Sequence, residues 1–337
     1  VIEFIFTVDY EIFGNGKGSL KELVYEPASR LIDLFLKNKD SLVFFIEVAE
    51  LEMMEKSGQY YEINLIKEQV KKINELGFEL GLHLHPQWYA GKFKEGKWSL
   101  EEAEYNLCLL PEERIKELIS RAVHYLKYLI GDSLFTPPAY RAGNWLMTSA
   151  KRLGPILAQA GLKVDSSVYK GGYQRLYYLD YRQAPAGLFY WKFSDEVTKP
   201  DPGGQLFEIP IYTRMIPTWK FLSKKRLALE AGGASSVSLK TKFTNRYRDF
   251  LRFKVPLKFD FCRLSLEELI SITEELMAID ACSPSDYKPI VLIGHTKDRP
   301  DYETISLFLA YLGKKGIKTT TFRQAIQTIA SRERNDR

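Results

Sequence analysis

Short apolar runs and amphipathic helical stretches alternate along most of this chain, and that alternation leaves few folds open. Glu3–Glu11 (EFIFTVDYE) has the character of a strand; a helical stretch follows at Ala28–Lys37 and a second strand at Leu42–Val48. The rhythm continues with a helix over Glu62–Glu75 stopped by Gly77, a strand Phe78–His85, a helix Pro111–Ile130, a strand Ala139–Trp145, a helix Ser149–Ala160 stopped by Gly161, and a short strand Val164–Val168. Later come a strand Leu257–Arg263, a helix Ser265–Ala278, a strand Pro289–Thr296, a helix Asp301–Lys314 and a last strand Thr319–Phe322. Strands that alternate with helices build parallel sheets. Seven or eight such units in 337 residues predict an α/β fold, a closed or incomplete (β/α) barrel, with a doubly wound open sheet as the alternative. Residues 169–254 break the pattern with the clusters KGGY, TKPDPGG and EAGGASS. They are expected to form a large irregular insertion around one strand, Leu206–Tyr212, within a single domain spanning residues 1–337.

Composition narrows the function classes. No run of 18 uncharged apolar residues exists, so no transmembrane helix is expected. No basic stretch leads into an apolar one near the first residues, so no signal peptide is expected. Cys108, Cys262 and Cys282 are odd in number and scattered, which suits free thiols in a reducing cytoplasm. A net charge of +5 is too mild to point to nucleic acid. The segment Lys220–Lys254 is basic and interleaved with aromatics. It reads as a solvated insertion face or as a grip on an anionic carrier, a nucleotide diphosphate or lipid pyrophosphate, which would hold the protein peripherally at the inner membrane surface.

The chemistry-bearing residues sit at strand ends. Of only four histidines, His83 and His85 stand two apart in GLHLHPQW. Residues two apart on a strand share a face, and Pro86 ends the ladder just beyond them. Asp9 and Glu11 in FTVDYEIF repeat the arrangement at the end of the first strand. Two carboxylates on one face of an apolar strand are costly to bury unless a cation or donors compensate. Two histidines with a carboxylate are also a common set for a catalytic divalent metal that keeps an open position. Zinc suits such ligands best, with manganese, cobalt and nickel as alternatives. His295 closes the apolar strand PIVLIGHT and is a candidate general acid or base. His124, on the amphipathic pattern ISRAVHYLKYL, reads as structural, and Cys262 in KFDFCRL as an inert buried thiol. The glycine-rich GNGKGS lacks the order of a phosphate-binding loop. Trp88, Tyr89, Trp98, Trp145 and Trp191 neighbour the motif strands and either line a sugar-binding cleft or fill the core.

Taken in order, TVDYE, GLHLHPQW, YRAGNW, DSSVY and IGHT resemble the five motifs of the polysaccharide deacetylases, the NodB-homology carbohydrate esterases. The resemblance spans residues 7 to 296 and implies a distorted (β/α) barrel, usually of seven strands, a divalent metal, and removal of acetyl groups from a sugar or glycan precursor. Carried over by motif, it implies Asp9 as catalytic base, Glu11, His83 and His85 as metal ligands, Arg141 as the residue that orients the base, His295 as general acid, and Asp165 as the aspartate that tunes it. Near Asn144 a backbone N–H would serve an oxyanion hole, with Trp88 and Trp145 beside the substrate. The pattern departs from the family in three places. Tyr10 separates two carboxylates where the family usually has adjacent aspartates; the histidines are two apart rather than four; and Gly143 and Asn144 stand where a proline and an aromatic usually follow the arginine. These departures resemble a divergent branch associated with surface-glycan biosynthesis. A catalytically silent relative that binds a glycan or anionic ligand is the alternative.

Overall fold

In a computed structural model of the protein, residues 1–14, 16–100, 102–217 and 254–335 are described. The basic stretch from 220 to 253 therefore lies outside the described residues. In chain order the strands are β1 (Ile2–Tyr10), β2 (Val43–Glu47), β3 (Glu79–Leu84), the hairpin β4 and β5 (Lys92–Lys94, Lys97–Ser99), β6 (Ala139–Ala142), β7 (Val164–Asp165), the hairpin β8 and β9 (Tyr173–Gln174, Leu179–Asp180), β10 (Trp191–Phe193), β11 (Leu206–Glu208), the ribbon β12 and β13 (Thr213–Pro217, Lys254–Lys258), β14 (Lys288–His295) and β15 (Lys318–Thr319). The helices are α1 (Glu26–Asn38), α2 (Val48–Ser57), α3 (Ile63–Glu75), α4 (Glu112–Ile130), α5 (Ala150–Gln159), α6 (Leu266–Cys282), α7 (Tyr302–Lys315) and α8 (Phe322–Asn335).

The main sheet runs β10-β11-β7-β6-β3-β2-β1-β14, with β15 also paired to β1. Every pairing in it is parallel except β10 with β11. The sheet is strongly curled and open, and single-residue bridges span the opening: Ile211 pairs with Tyr169 on one side and Val291 on the other, and Asp260 pairs with Ile293. The expected distorted, incomplete barrel is thus the architecture found, as a mixed rather than wholly parallel sheet.

The central strands are buried on both faces, so β1, β2 and β14 are nearly continuous apolar runs. Along β1 the two faces do different work. Phe6 packs edge-on against Phe35 of α1 and against Phe261, each with ring centroids 5.2 Å apart. Burying a phenylalanine contributes about 1.5–3 kcal/mol, so this outer layer anchors the strand. Thr7 and Asp9 point the other way, into the curl of the sheet, where the Arg141 guanidinium meets both.

Four elements differ from the sequence expectation. Helix α2 begins directly after β2, because Glu47 accepts hydrogen bonds from the N–H groups of Ala49 and Glu50 and caps it. The strand expected through Trp145 stops at Ala142, and the segment expected as strand from Leu257 runs as β13 only to Lys258. The C-terminal helix α8 starts where a strand was expected to end, its first N–H groups held by the Glu79 carboxylate. Among the described residues no helix is long and apolar enough to cross a membrane. Cys108 and Cys262 are buried, Cys282 is exposed, and all three are free thiols.

Candidate metal centre and active site

Strand ends β1, β3, β6 and β14 bring Asp9, Glu11, His83, His85, Arg141 and His295 into one buried cluster. The register explains the meeting: Asp9 lies beside His295, and His83 beside Arg141. The period-two placement of both pairs holds.

His83 is oriented without ambiguity. Its Nδ1 lies 2.9 Å from the Arg141 carbonyl oxygen, which can only accept, so Nδ1 carries the proton. Nε2 is then turned toward Glu11 Oε2 at 3.5 Å and Asp9 Oδ2 at 3.9 Å. His85 Nε2 lies 3.1 Å from the same Glu11 oxygen. Burial opposes charge on His83, but Asp9 and Glu11 outweigh it and raise the ring to about 9. The cluster thus draws positive charge toward the space between these atoms. Four ligands on a zinc-sized ion at about 2.1 Å sit about 3.4 Å from one another, and the separations found bracket that value. Glu11, His83 and His85 fit a divalent cation in donor type, spacing and orientation. Glu47 belongs to the same group of potential ligands. Its oxygens are spent on the cap of α2 and on the His85 N–H, 2.8 Å from Oε2, so it fixes the backbone of His85.

The local backbone is shaped around His85. A Cβ on Gly143 would stand 2.7 Å from His85 Cγ and from the Leu84 carbonyl oxygen, so only glycine lets this turn close. Asn144 and Trp145 then both take left-handed conformations, φ 53° and 60°. Two consecutive non-glycine residues of this kind cost of order 1–3 kcal/mol each, and such strain gathers at functional sites. The turn places the Asn144 amide 3.2 Å from His85 Nδ1, where Gln87 also reaches at 3.3 Å. Asn144, expected to act through its main chain, is therefore engaged through its side chain as well.

Asp9 and Glu11 each use one oxygen on a buried cation and turn the other to the centre. Arg141 Nη1 donates to Asp9 Oδ1 at 2.6 Å, and Lys297 Nζ donates to Glu11 Oε1 at 2.6 Å. Burial by itself raises Asp9, but Arg141, His83 and His295 hold its carboxyl below the usual range. For Glu11 burial is likewise outweighed, by Lys297 and His85 first, and the carboxyl lies well below its ordinary value. Asp9 Oδ2 is left facing His295 Nε2 at 3.4 Å.

One assignment needs correction. The residue on His295 Nδ1 is Asp298, at 3.1 Å, not Asp165. Asp298 is in turn gripped by Arg263 through Nε at 2.8 Å and Nη2 at 2.5 Å. Burial raises Asp298, yet His295 and Arg263 bring its carboxyl below the usual range. Burial and Asp298 push the neighbouring Asp260 up to about 6. Asp165 sits on β7, between β6 and β11, and its carboxylate accepts from the Ser167 hydroxyl at 2.7 Å beside Glu208. Trp88 also departs from expectation: it is fully buried against Trp98, ring centroids 5.1 Å apart, and lines no cleft. Trp145 does stand at the site, its ring edge-on to His295 at 6.0 Å, but the Lys258 ammonium caps it 2.9 Å from the ring centre, so that face is closed to a sugar. His124 is exposed on α4.

Sequence reasoning missed Asp298, Lys297, Glu47, Arg263 and Lys258. Two left a signal. Asp298 follows His295 by three residues, and Glu47 ends an apolar strand just as Asp9 does.

No protein-family model matches this sequence, and no curated protein matches it. In fold the chain is similar to a proposed polysaccharide deacetylase from Mycobacterium smegmatis, with 15% identity, 98% of this chain and 91% of that one covered, and a TM-score of 0.53. It is also similar to a GH57 branching enzyme from the archaeon Thermococcus kodakaraensis, with 12% identity, 96% and 70% covered, and a TM-score of 0.55. The PuuE allantoinase is similar at 14% identity, 97% and 89% covered, and a TM-score of 0.50. At such identities the likeness is one of fold: a polysaccharide-deacetylase-like barrel holding a buried His/Asp/Glu group able to bind a metal.

Proposed function

We propose that the chain hydrolyses an acetamido group on a sugar or glycan precursor with the help of a divalent metal ion, zinc first among the candidates. The observation that carries this reading is Glu11 Oε2 facing the Nε2 atoms of both His83 and His85, with Asp9 Oδ2 and His295 Nε2 alongside. Glu11, His83 and His85 would hold the ion. When bound, it supplies a Lewis acid that polarises the acetyl carbonyl and makes water more acidic.

The chain's own groups handle the protons. Arg141 occupies Asp9 Oδ1, so Oδ2 is the atom that takes a proton from the attacking water. Water oxygen bonds to the carbonyl carbon, the C–N bond breaks, and the nitrogen leaves with a proton from His295 Nε2. Acetate and a free amine remain. Asp298 fixes the imidazole through Nδ1, which keeps Nε2 aimed at the region shared with Asp9. Burial of the whole cluster strengthens each of these interactions by excluding water.

The test combines metal analysis with acetate release. Purified protein should hold about one equivalent of a divalent metal, release acetate from an N-acetylated amino sugar, lose that activity to a chelator and regain it on metal addition. Protein that binds metal stoichiometrically but releases no acetate from any acetylated sugar would overturn the catalytic reading. Protein that retains no metal would support the silent, ligand-binding alternative.

A further inference from the structure

Among the described residues, each cation at the site has a carboxylate partner except one. Arg141 is paired with Asp9, Arg263 with Asp298 and Lys297 with Glu11. Lys258, at the end of β13, has no carboxylate oxygen within ion-pairing distance among the described residues. Its ammonium rests on two aromatic faces instead, 2.9 Å from the Trp145 ring centre and 4.4 Å from that of Tyr169. Those rings meet edge-to-face at 5.7 Å, and Trp145 is edge-on to His295. The ammonium is therefore fixed next to the catalytic cluster, while Lys258 keeps part of its surface open to solvent.

Aromatic faces offset only part of the cost of desolvating an ammonium. Burial pushes Lys258 down to about 7, and Arg263 and Arg141 work in the same direction against the attraction of Asp260 and Asp9. Asp260 cannot serve as the missing partner where it stands: it accepts from the Cys262 N–H at 3.0 Å and faces Arg263 at 3.8 Å. A second donor lies on the same aromatic platform. The Trp145 indole Nε1–H is buried and has no acceptor among the described residues. The backbone beneath this ring is left-handed at both Asn144 and Trp145. A cation without a counter-ion and an N–H without an acceptor, side by side at the rim of the site, are what an anionic oxygen group would satisfy.

We propose that Lys258 and Trp145 form a recognition point for an oxyanion, a phosphate or a carboxylate, carried on the acetylated sugar. The proposal rests on the deacetylase reading for the sugar but not for the anion. It gives the substrate a chemical class: a negatively charged amino-sugar derivative rather than a neutral one. An anion there also draws the lysine toward itself and uncovers the Trp145 face, so charge recognition and sugar contact occur together.

Equilibrium binding tests it, by titration calorimetry on the full chain with N-acetylglucosamine, N-acetylglucosamine 1-phosphate and N-acetylmuramic acid, in metal-loaded and chelator-treated protein. Wild type should bind at least one of the two anionic sugars about tenfold more tightly than the neutral one, a difference of roughly 1.4 kcal/mol. The tighter of the two identifies the anion as phosphate or carboxylate. Lys258→Met should collapse that ratio to about one, and Lys258→Arg should retain most of it. Equal affinity for all three sugars in wild type, or an undiminished ratio in a folded Lys258→Met, overturns the proposal. Should Lys258→Met not fold, Lys258→Gln is read the same way. If the ratio behaves as expected while no acetate is released from any of the sugars, the anion site stands and the deacetylase reading falls.

Discussion

Arg141 holds Asp9 by a 2.6 Å hydrogen bond from Nη1 to Oδ1, with both side chains removed from solvent. The same guanidinium stacks on the Phe45 ring at 4.0 Å and reaches Thr7 Oγ1 and the Ser166 carbonyl oxygen at 3.0 Å each. One arginine thus neutralises Asp9, the proposed base, positions it and ties three strands together. Breaking a buried pair by removing one partner typically costs about 3–5 kcal/mol, because the other charge is left uncompensated. Arg141→Met should lower stability by that order in chemical denaturation. Asp9→Asn keeps an acceptor for Arg141 but leaves its charge uncompensated, so it should lose part of that stability too, while acetate release per folded molecule falls about 10²–10⁴-fold.

Asp298 and Asp165 make opposite predictions. Asp298 is the residue on His295, so Asp298→Asn should lower kcat by about 10²-fold and alter the pH dependence of the reaction. Asp165→Asn should leave the pH profile in place, because Asp165 faces Ser167 and Glu208. A pH–rate profile of both variants decides between them. A shift confined to Asp165→Asn would restore the assignment implied by motif order.

Lys297 would compete with a bound metal for Glu11. Its ammonium lies 2.6 Å from Oε1 and leaves only Oε2 to face the histidines. Replacing it with methionine removes a positive charge from beside the ion and frees a second carboxylate oxygen. Lys297→Met should tighten zinc binding by about tenfold in a chelator competition assay. The metal-free variant should melt earlier than wild type, since Glu11 then lacks its counter-ion, and added metal should restore more of the loss than it adds to wild type.

Glu208 supplies a pH test away from the metal. Burial, with Asp165 beside it, holds this carboxyl well above its ordinary 4.5, and its Oε2 has no hydrogen-bond partner among the described residues. The native state keeps a proton that the unfolded chain releases near 4.5. The stabilisation tied to that proton is therefore complete below 4.5 and declines as the pH rises from there toward the native value. Glutamine cannot ionise and presents an N–H₂ to Asp165. Glu208→Gln should melt above wild type by a margin that widens between pH 5 and pH 8. A margin independent of pH would contradict this account.

Much of the site was legible along the chain because strand geometry is local. Side chains two apart share a face whatever the strand's neighbours, so Asp9 with Glu11 and His83 with His85 were pairs before any fold was known. The alternation of strand and helix likewise implied a curled, largely parallel sheet, since each strand is flanked by the helix that covers it. Neighbour relations were a different matter. Motif order placed Asp165 on His295, but β7 lies between β6 and β11, and the short turn after β14 delivers Asp298 there instead. Nothing local to Trp88 distinguishes a buried tryptophan from one at a cleft, and nothing local to Trp145 announces that Lys258, from a distant ribbon, will sit on its ring. The sequence by itself determined which residues face the same way on each strand, because the two-residue period of the backbone decides that. Only the tertiary structure decided which strands stand side by side and which charges meet, because burial energy is set by contacts between segments far apart in the chain.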